Sequence, residues 1–141
     1  MTSTERDQLT RLREEHNDIM QQLALISNAL AQSQSLSPEK LLELIDHLGS
    51  RIAKHFAYEE KILYKPLKMK LEKDSPTDEI ILDHELIRRD FEILRRACVQ
   101  YGTSSSSVVL QRCLDPFQRE LSEHLRKEER VLFWLAEFKL S

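Results

Sequence analysis

Glycine and proline are scarce in this chain, with two glycines and four prolines among 141 residues. Strands joined by tight turns draw on both residue types, so the shortage argues against an all-β or loop-rich architecture. Cysteine is equally sparse: Cys98 and Cys113 are too few to make a disulfide framework. No apolar run reaches about 18 residues, so no membrane span is expected. There is no excess of basic charge either. The net charge is −3, with both signs interspersed along the chain. Without a basic stripe or interleaved aromatic and basic residues, nothing favours a nucleic-acid partner. The opening MTSTERDQL is polar and lacks the apolar core of a secretory signal. These absences leave one expectation: a single domain over 1–141, all-helical and cytoplasmic, with no membrane partner.

Three breaks divide the chain. The first is AQSQSLSPEK, where Ser37 suits a helix N-cap and Pro38 its first turn. The second is KDSPTDE, where Ser75, Pro76 and Asp78 repeat that start signal. The third is YGTSSSS, with Gly102 as the expected stop and a serine as the next cap. Between them lie segments of roughly 4–34, 38–70, 76–101 and 105–139, each with apolar residues every three or four positions. Short connections make sequential helices antiparallel, so the predicted fold is all-α, an up-down-up-down four-helix bundle. Pro66 either kinks or ends the second helix. Pro116 either kinks the fourth or lies in its true first turn behind Asp115.

The core seams carry residues that a core should not. The first reads Leu9, Leu12, His16, Ile19, Leu23, Ile26, Leu30, and the second Leu41, Ile45, Leu48, Ile52, His55, Glu59, Ile62, Pro66. The third reads Ile80, His84, Ile87, Phe91, Leu94, Cys98, Tyr101. The fourth reads Leu110, Leu114, Phe117, Leu121, His124, Glu128, Val131, Leu135, Phe138. Burying an ionised carboxylate is costly unless it is paired or bound to a metal. A single histidine on a seam is ordinarily a satisfied core residue, but the set forms a pattern. His16 and His55 are equidistant from the first break, Glu59 and His84 from the second, and His84 and His124 from the third. All six side chains therefore reach one level of an antiparallel bundle. Each half of the chain also repeats one order, a lone histidine and then His-x-x-x-Glu. That repeat suggests two metal ions in similar environments.

Other readings are weaker. His47 lies beside the seam residue Leu48, so it is expected at the surface. Ferritin-like bundles need Glu-x-x-His, and no glutamate stands three residues before any histidine. HELIR at 84–88 begins like a zinc-protease motif but ends in Arg88. Cys98 and Cys113 flank the third break, which leaves small buried thiols or a redox pair open. Tyr58 and Tyr64 border the second-helix motif, either as packing or as hydrogen-bonding groups near the site. Trp134 lies in an apolar tail, VLFWLAEFKL, that suits either the core or a dimer surface.

The stretches EEHNDIM, IAKHFAYEEKIL, ILDHELIRRDFEIL and LSEHLRKEERVLF together resemble the hemerythrin family in its His/His-x-x-x-Glu form, from about residue 9 to 138. The resemblance implies a non-haem di-iron centre in the bundle core. His16 and His55 would bind one iron, and His84 and His124 the other. Glu59 and Glu128 would bridge them, together with a water-derived oxo or hydroxo group. Zinc or manganese would also suit such ligands. The chain departs from the oxygen-carrying members at two places. Arg88 stands where they have a second histidine one turn after the third-helix histidine. The fourth motif ends in Glu128, with Glu129 as the alternative, where they have H-x-x-x-x-D. By resemblance the expected function is a binding or sensing protein more than an enzyme, taking O2 or NO or sensing iron and redox state. One alternative is iron-centre repair or protection against nitrosative and oxidative stress through labile iron. Another is a metal-free helical module acting on a protein partner that the residues do not name.

Overall fold

The computed structural model describes residues 2–31, 37–70, 76–104 and 107–133. The described residues form four helical rods. Helix α1 is Ser3–Ala31 and α2 is Pro38–Glu59. A π-helical stretch, Glu60–Tyr64, extends the second rod into the short α3, Lys65–Lys70. Helix α4 is Pro76–Ser104. Helix α5 is Ser107–Lys127, and a second π-helical stretch, Glu128–Phe133, follows it.

The starts obey local chemistry. The Thr2 hydroxyl accepts from the Glu5 N–H at 3.1 Å, and the Glu5 carboxylate accepts from the Thr2 N–H at 3.2 Å. This reciprocal capping box satisfies two otherwise orphaned donors of α1. Ser37 caps α2 by accepting from the Lys40 N–H at 3.2 Å, with Pro38 in the first turn as expected. Ser75 and the tail with Trp134, Leu135 and Phe138 lie outside the described residues. Two boundaries differ from expectation. Helix α4 runs past Gly102 to Ser104, so that glycine is not the stop. Pro116 lies inside α5, which removes the reading of Asp115 as a cap. A single missing N–H in mid-helix is tolerated here because the amphipathic face on either side of it is buried.

Helix α1 packs on α2, α2 on α4, α4 on α5, and α5 closes back on α1. Leu9 and Leu12, at the start of α1, pack with Leu63 and Leu67, at the end of the second rod. Ile26 and Leu30 pack with Leu41 and Ile45. Neighbours are therefore antiparallel, and the fold is the all-α four-helix bundle that the apolar rhythm predicts. The core has two apolar clusters, a large one around Ile19, Leu48, Leu94 and Leu121 and a smaller one around Leu12, Tyr64 and Phe133. The polar seam residues lie between them. No helix among the described residues is long and apolar enough to cross a membrane.

The second rod carries the main correction. Its predicted seam holds as far as Glu59 and then slips by one residue. Ile62 and Pro66 are only partly buried, while Leu63, Tyr64 and Leu67 are buried. The π stretch explains the slip. The Lys65 N–H donates to the Glu60 carbonyl, five residues back instead of four. That closure adds one residue to the turn and rotates everything after it by one position. Pro66, which has no N–H to give, follows directly where the α-helical ladder is already interrupted. Phe91 and Tyr101 are also only partly buried, though both pack against the large cluster.

Candidate metal centre

His16, His55, Glu59, His84, His124 and Glu128 are all buried, with Glu59, His84 and Glu128 completely so. They come from α1, α2, α4, α5 and the start of the second π stretch, at one level of the bundle. His47 is exposed. Two groups of these side chains bring nitrogen or oxygen atoms within 4.8 Å of one another: His16, His55 and Glu59, and Glu59, His84, His124 and Glu128. Glu59 belongs to both groups. Its Oε2 lies 3.3 Å from His16 Nε2 and 3.1 Å from His55 Nε2. Its Oε1 lies 3.1 Å from His84 Nε2. Glu128 belongs to one group, with Oε1 against His124 Nε2 and 3.7 Å from His84 Nε2.

Much of this interior lacks hydrogen bonds. His55 Nε2, Glu59 Oε1, His84 Nε2, both nitrogens of His124, and Glu128 Oε1 are buried with no hydrogen-bond partner. They are close to one another but misaligned for hydrogen bonding. Unsatisfied buried polar atoms cost about 1–3 kcal/mol each and are rare in native cores. Imidazole and carboxylate groups converging at this spacing form a donor set that fits a divalent cation of the iron, zinc or manganese type.

The outward-facing ring nitrogens are held as well. His16 Nδ1 lies 3.1 Å from Glu129 Oε1, His55 Nδ1 2.8 Å from Glu15 Oε1, and His84 Nδ1 3.0 Å from Glu60 Oε1. A carboxylate on Nδ1 draws the proton there and leaves the Nε2 lone pair facing inward, the arrangement that orients metal-binding histidines. His124 differs. Its Nδ1 is 3.5 Å from Asp83 Oδ2 and makes no hydrogen bond, and Lys127 Nζ lies equally far from the same oxygen. These supporting carboxylates escape a reading of seams, yet they carry a signal. Glu15 and Asp83 directly precede His16 and His84, and Glu60 and Glu129 directly follow Glu59 and Glu128. A residue next to a seam position lies on the helix flank, where it reaches the neighbouring helix. The structure also separates the two fourth-helix glutamates, placing Glu128 inside and Glu129 at the surface.

Aromatic rings close the site. Phe56 stacks on His84 at 3.7 Å, and Phe133 stacks on His16 at 5.3 Å. The Tyr64 hydroxyl donates to Glu128 Oε2, so of the two tyrosines beside the motif, Tyr64 faces the interior. Tyr58 lies under the Arg11 guanidinium, 4.0 Å away. Arg88 lies 3.6 Å from Glu60 Oε1 and 5.6 Å from the Phe56 ring, on the outer flank of His84. A cavity of about 250 Å³ between α1 and α2 reaches inward to His55 and Glu15. Cys98 is buried, and burial pushes its thiol up to about 11, the range of an inert core thiol. Cys98 and Cys113 are both free.

The electrostatics split the two carboxyls. Burial would raise Glu59, but the close approach of Glu128, His16, His55 and His84 outweighs it and holds Glu59 well below the usual carboxylate range. Burial and the neighbouring Glu59 charge push Glu128 well above it. One carboxyl of the pair thus favours its protonated form. Burial together with the nearby His84 lowers His124 to about 4. His55 is raised in spite of burial by Glu59 and Glu15.

Among known protein families, the hemerythrin HHE cation binding domain matches residues 7–136. No curated protein and no solved structure matches the chain.

Proposed function

This chain belongs to the hemerythrin HHE cation-binding family, and from that premise we propose that it holds two iron ions in the bundle core and uses them to bind O2 or NO or to sense iron and redox state. The observation that carries the proposal is the set of buried nitrogen and oxygen atoms with no hydrogen-bond partner, drawn from three rods and converging with His16 of the first at one level. His16 and His55 would hold one ion. His84, His124 and Glu128 would hold the other, with Glu59 shared between them. Iron at such a site would supply open coordination positions and an electron for a diatomic ligand.

The chain's own groups do the rest. Glu15, Glu60 and Glu129 orient the histidines and set their tautomer. Phe56 and Phe133 cover the histidine rings and exclude water, which strengthens every charge interaction inside. The Glu128 carboxyl would give up its proton on holding a cation. A second reading is that labile iron is donated from this site in repair or protection. Arg88 favours it, because that side chain pairs outward with Glu60 and adds no further nitrogen to the centre.

The test is the metal content of protein purified without oxygen, measured with its visible spectrum before and after exposure to air. The expected result is about two irons per chain, with charge-transfer bands that respond to O2 or NO. Iron that drains to a weak chelator without a reversible gas response would favour donation. Absence of metal, with no uptake of added ferrous iron, would refute both readings.

A further inference from the structure

Each rod gives the centre one histidine and gives the next rod's histidine one carboxylate. Glu15 of α1 lies on His55 of α2, at 2.8 Å. Glu60, in the first π stretch, lies on His84 of α4, at 3.0 Å. Asp83 of α4 faces His124 of α5. Glu129, in the second π stretch, lies on His16 of α1, at 3.1 Å. The four contacts run in one direction around the bundle and make a ring outside the histidines. Three of its joints are hydrogen bonds. The fourth is not. Asp83 Oδ2 stops 3.5 Å from His124 Nδ1, and that buried nitrogen has no hydrogen-bond partner.

Two features hold this joint open. Asp83 stands before His84 where Glu15 stands before His16, and an aspartate reaches one methylene less than a glutamate. The Asp83 carboxylate is also engaged from outside. Lys127 lies three residues after His124, on the same side of the rod. Its Nζ donates to Glu79 Oε1 at 2.6 Å and to Asp83 Oδ2 at 3.5 Å, the oxygen that faces His124. Glu79 and Asp83 are four residues apart on α4, so one ammonium spans both.

We infer that Lys127 is a positioning residue that keeps Asp83 off His124, and that the joint left open between α4 and α5 is where a divalent cation enters and leaves the centre. This rests on the metal reading proposed above. The six side chains of the centre are buried, so one of them must turn aside for an ion to pass. Turning His16, His55 or His84 outward breaks a bond to a carboxylate, the stronger kind of hydrogen bond. Turning His124 breaks none at its outer nitrogen.

The test has two parts. In the metal-free, full-length chain, nitrogen-15 NMR at mildly alkaline pH reads which ring nitrogen of each histidine carries the proton. His16, His55 and His84 should be fixed in the Nδ1–H form, and His124 should be a mixture of both forms. In the ferrous chain kept without oxygen, absorbance follows the rate of iron loss to excess chelator. Asp83→Glu adds the missing reach without changing charge. Lys127→Met keeps the stem and removes the ammonium that draws Asp83 away. Each should fix His124 as Nδ1–H and slow iron loss by about tenfold. Lys68→Met removes a surface ion pair with Asp78, outside the ring, and should change neither reading. A wild-type His124 fixed like the other three, or an Asp83→Glu protein that matches wild type, would overturn the inference while leaving the metal reading intact. Slowing in Lys127→Met alone would also overturn it, because lost charge and not reach would then be the cause. Failure to take up any iron would overturn the metal reading and the route with it, while the metal-free spectra still report on the joint.

Discussion

Replacing Glu128 and Tyr64 together by Leu and Phe should make the metal-free chain more stable and the iron-loaded chain less so. Glu128 is completely buried and, without metal, holds its proton, so no charge is lost on replacement. Its Oε1 has no hydrogen-bond partner, and removing such an atom relieves about 1–3 kcal/mol of desolvation. Its Oε2 accepts from Tyr64, a bond that contributes about 1 kcal/mol net. Substituting both partners leaves neither orphaned, which is why the single Glu128→Leu change is the wrong test. The balance is a gain of about 0–2 kcal/mol, or a rise of up to roughly 6 °C in melting temperature for a chain of this size. With iron in hundredfold excess over its dissociation constant, wild type gains about 2.7 kcal/mol from each occupied site, and the double variant forfeits much of that. Urea unfolding in chelator and in anaerobic ferrous iron should therefore rank the two proteins in opposite orders. A metal-free double variant less stable than wild type by more than about 1 kcal/mol, or the same ranking in both conditions, would refute the reasoning.

Glu15→Ala removes the acceptor on His55 Nδ1 and should weaken iron binding by about 10–100-fold in a competition titration, whereas His47→Ala, at an exposed site, should leave it unchanged. Gly49→Ala would place its Cβ 2.4 Å from Phe91 Cζ. The clash, about 1–3 kcal/mol, outweighs the roughly 1 kcal/mol helix preference of alanine over glycine, so denaturation should show a net loss, and in a Phe91→Ala background the same change should stabilise. Burial, the hydrogen bond with Asp90 and the charges of Asp90 and Asp83 raise Glu120 from 4.5 to about 7. The raised carboxyl does not weaken the fold while it is protonated. Its destabilisation grows as pH climbs from the unfolded value to about 7 and is constant above that. Glu120→Gln should thus stabilise the chain at pH 8 by about 1 kcal/mol, allowing for solvent screening, and the benefit should vanish at acid pH, measured as paired urea midpoints.

Hydrophobic periodicity dictated most of this molecule. Every seam residue predicted for the first helix is buried, and so is every one on the second as far as Glu59. The equal spacing of the polar seam residues about the breaks was enough to put six side chains at one level, because an antiparallel pair with a short connection has only one register. Periodicity could not see where the helical turn widens. An α turn and a π turn use the same backbone wells and the same residues, so Ile62 and Pro66 looked like core positions. The choice lies with long-range packing, which buries Leu63, Tyr64 and Leu67 once the neighbouring rods are in place. The supporting carboxylates Glu15, Glu60, Asp83 and Glu129 were hidden for a related reason. Each sits on a helix flank that reads as solvated, and only the adjacent rod brings a histidine ring against that flank. The inequality of Glu59 and Glu128 is of the same kind. The chain writes both in one motif, but the rods around them differ: Glu59 lies against His16 and His84, while Glu128 accepts the hydroxyl of Tyr64.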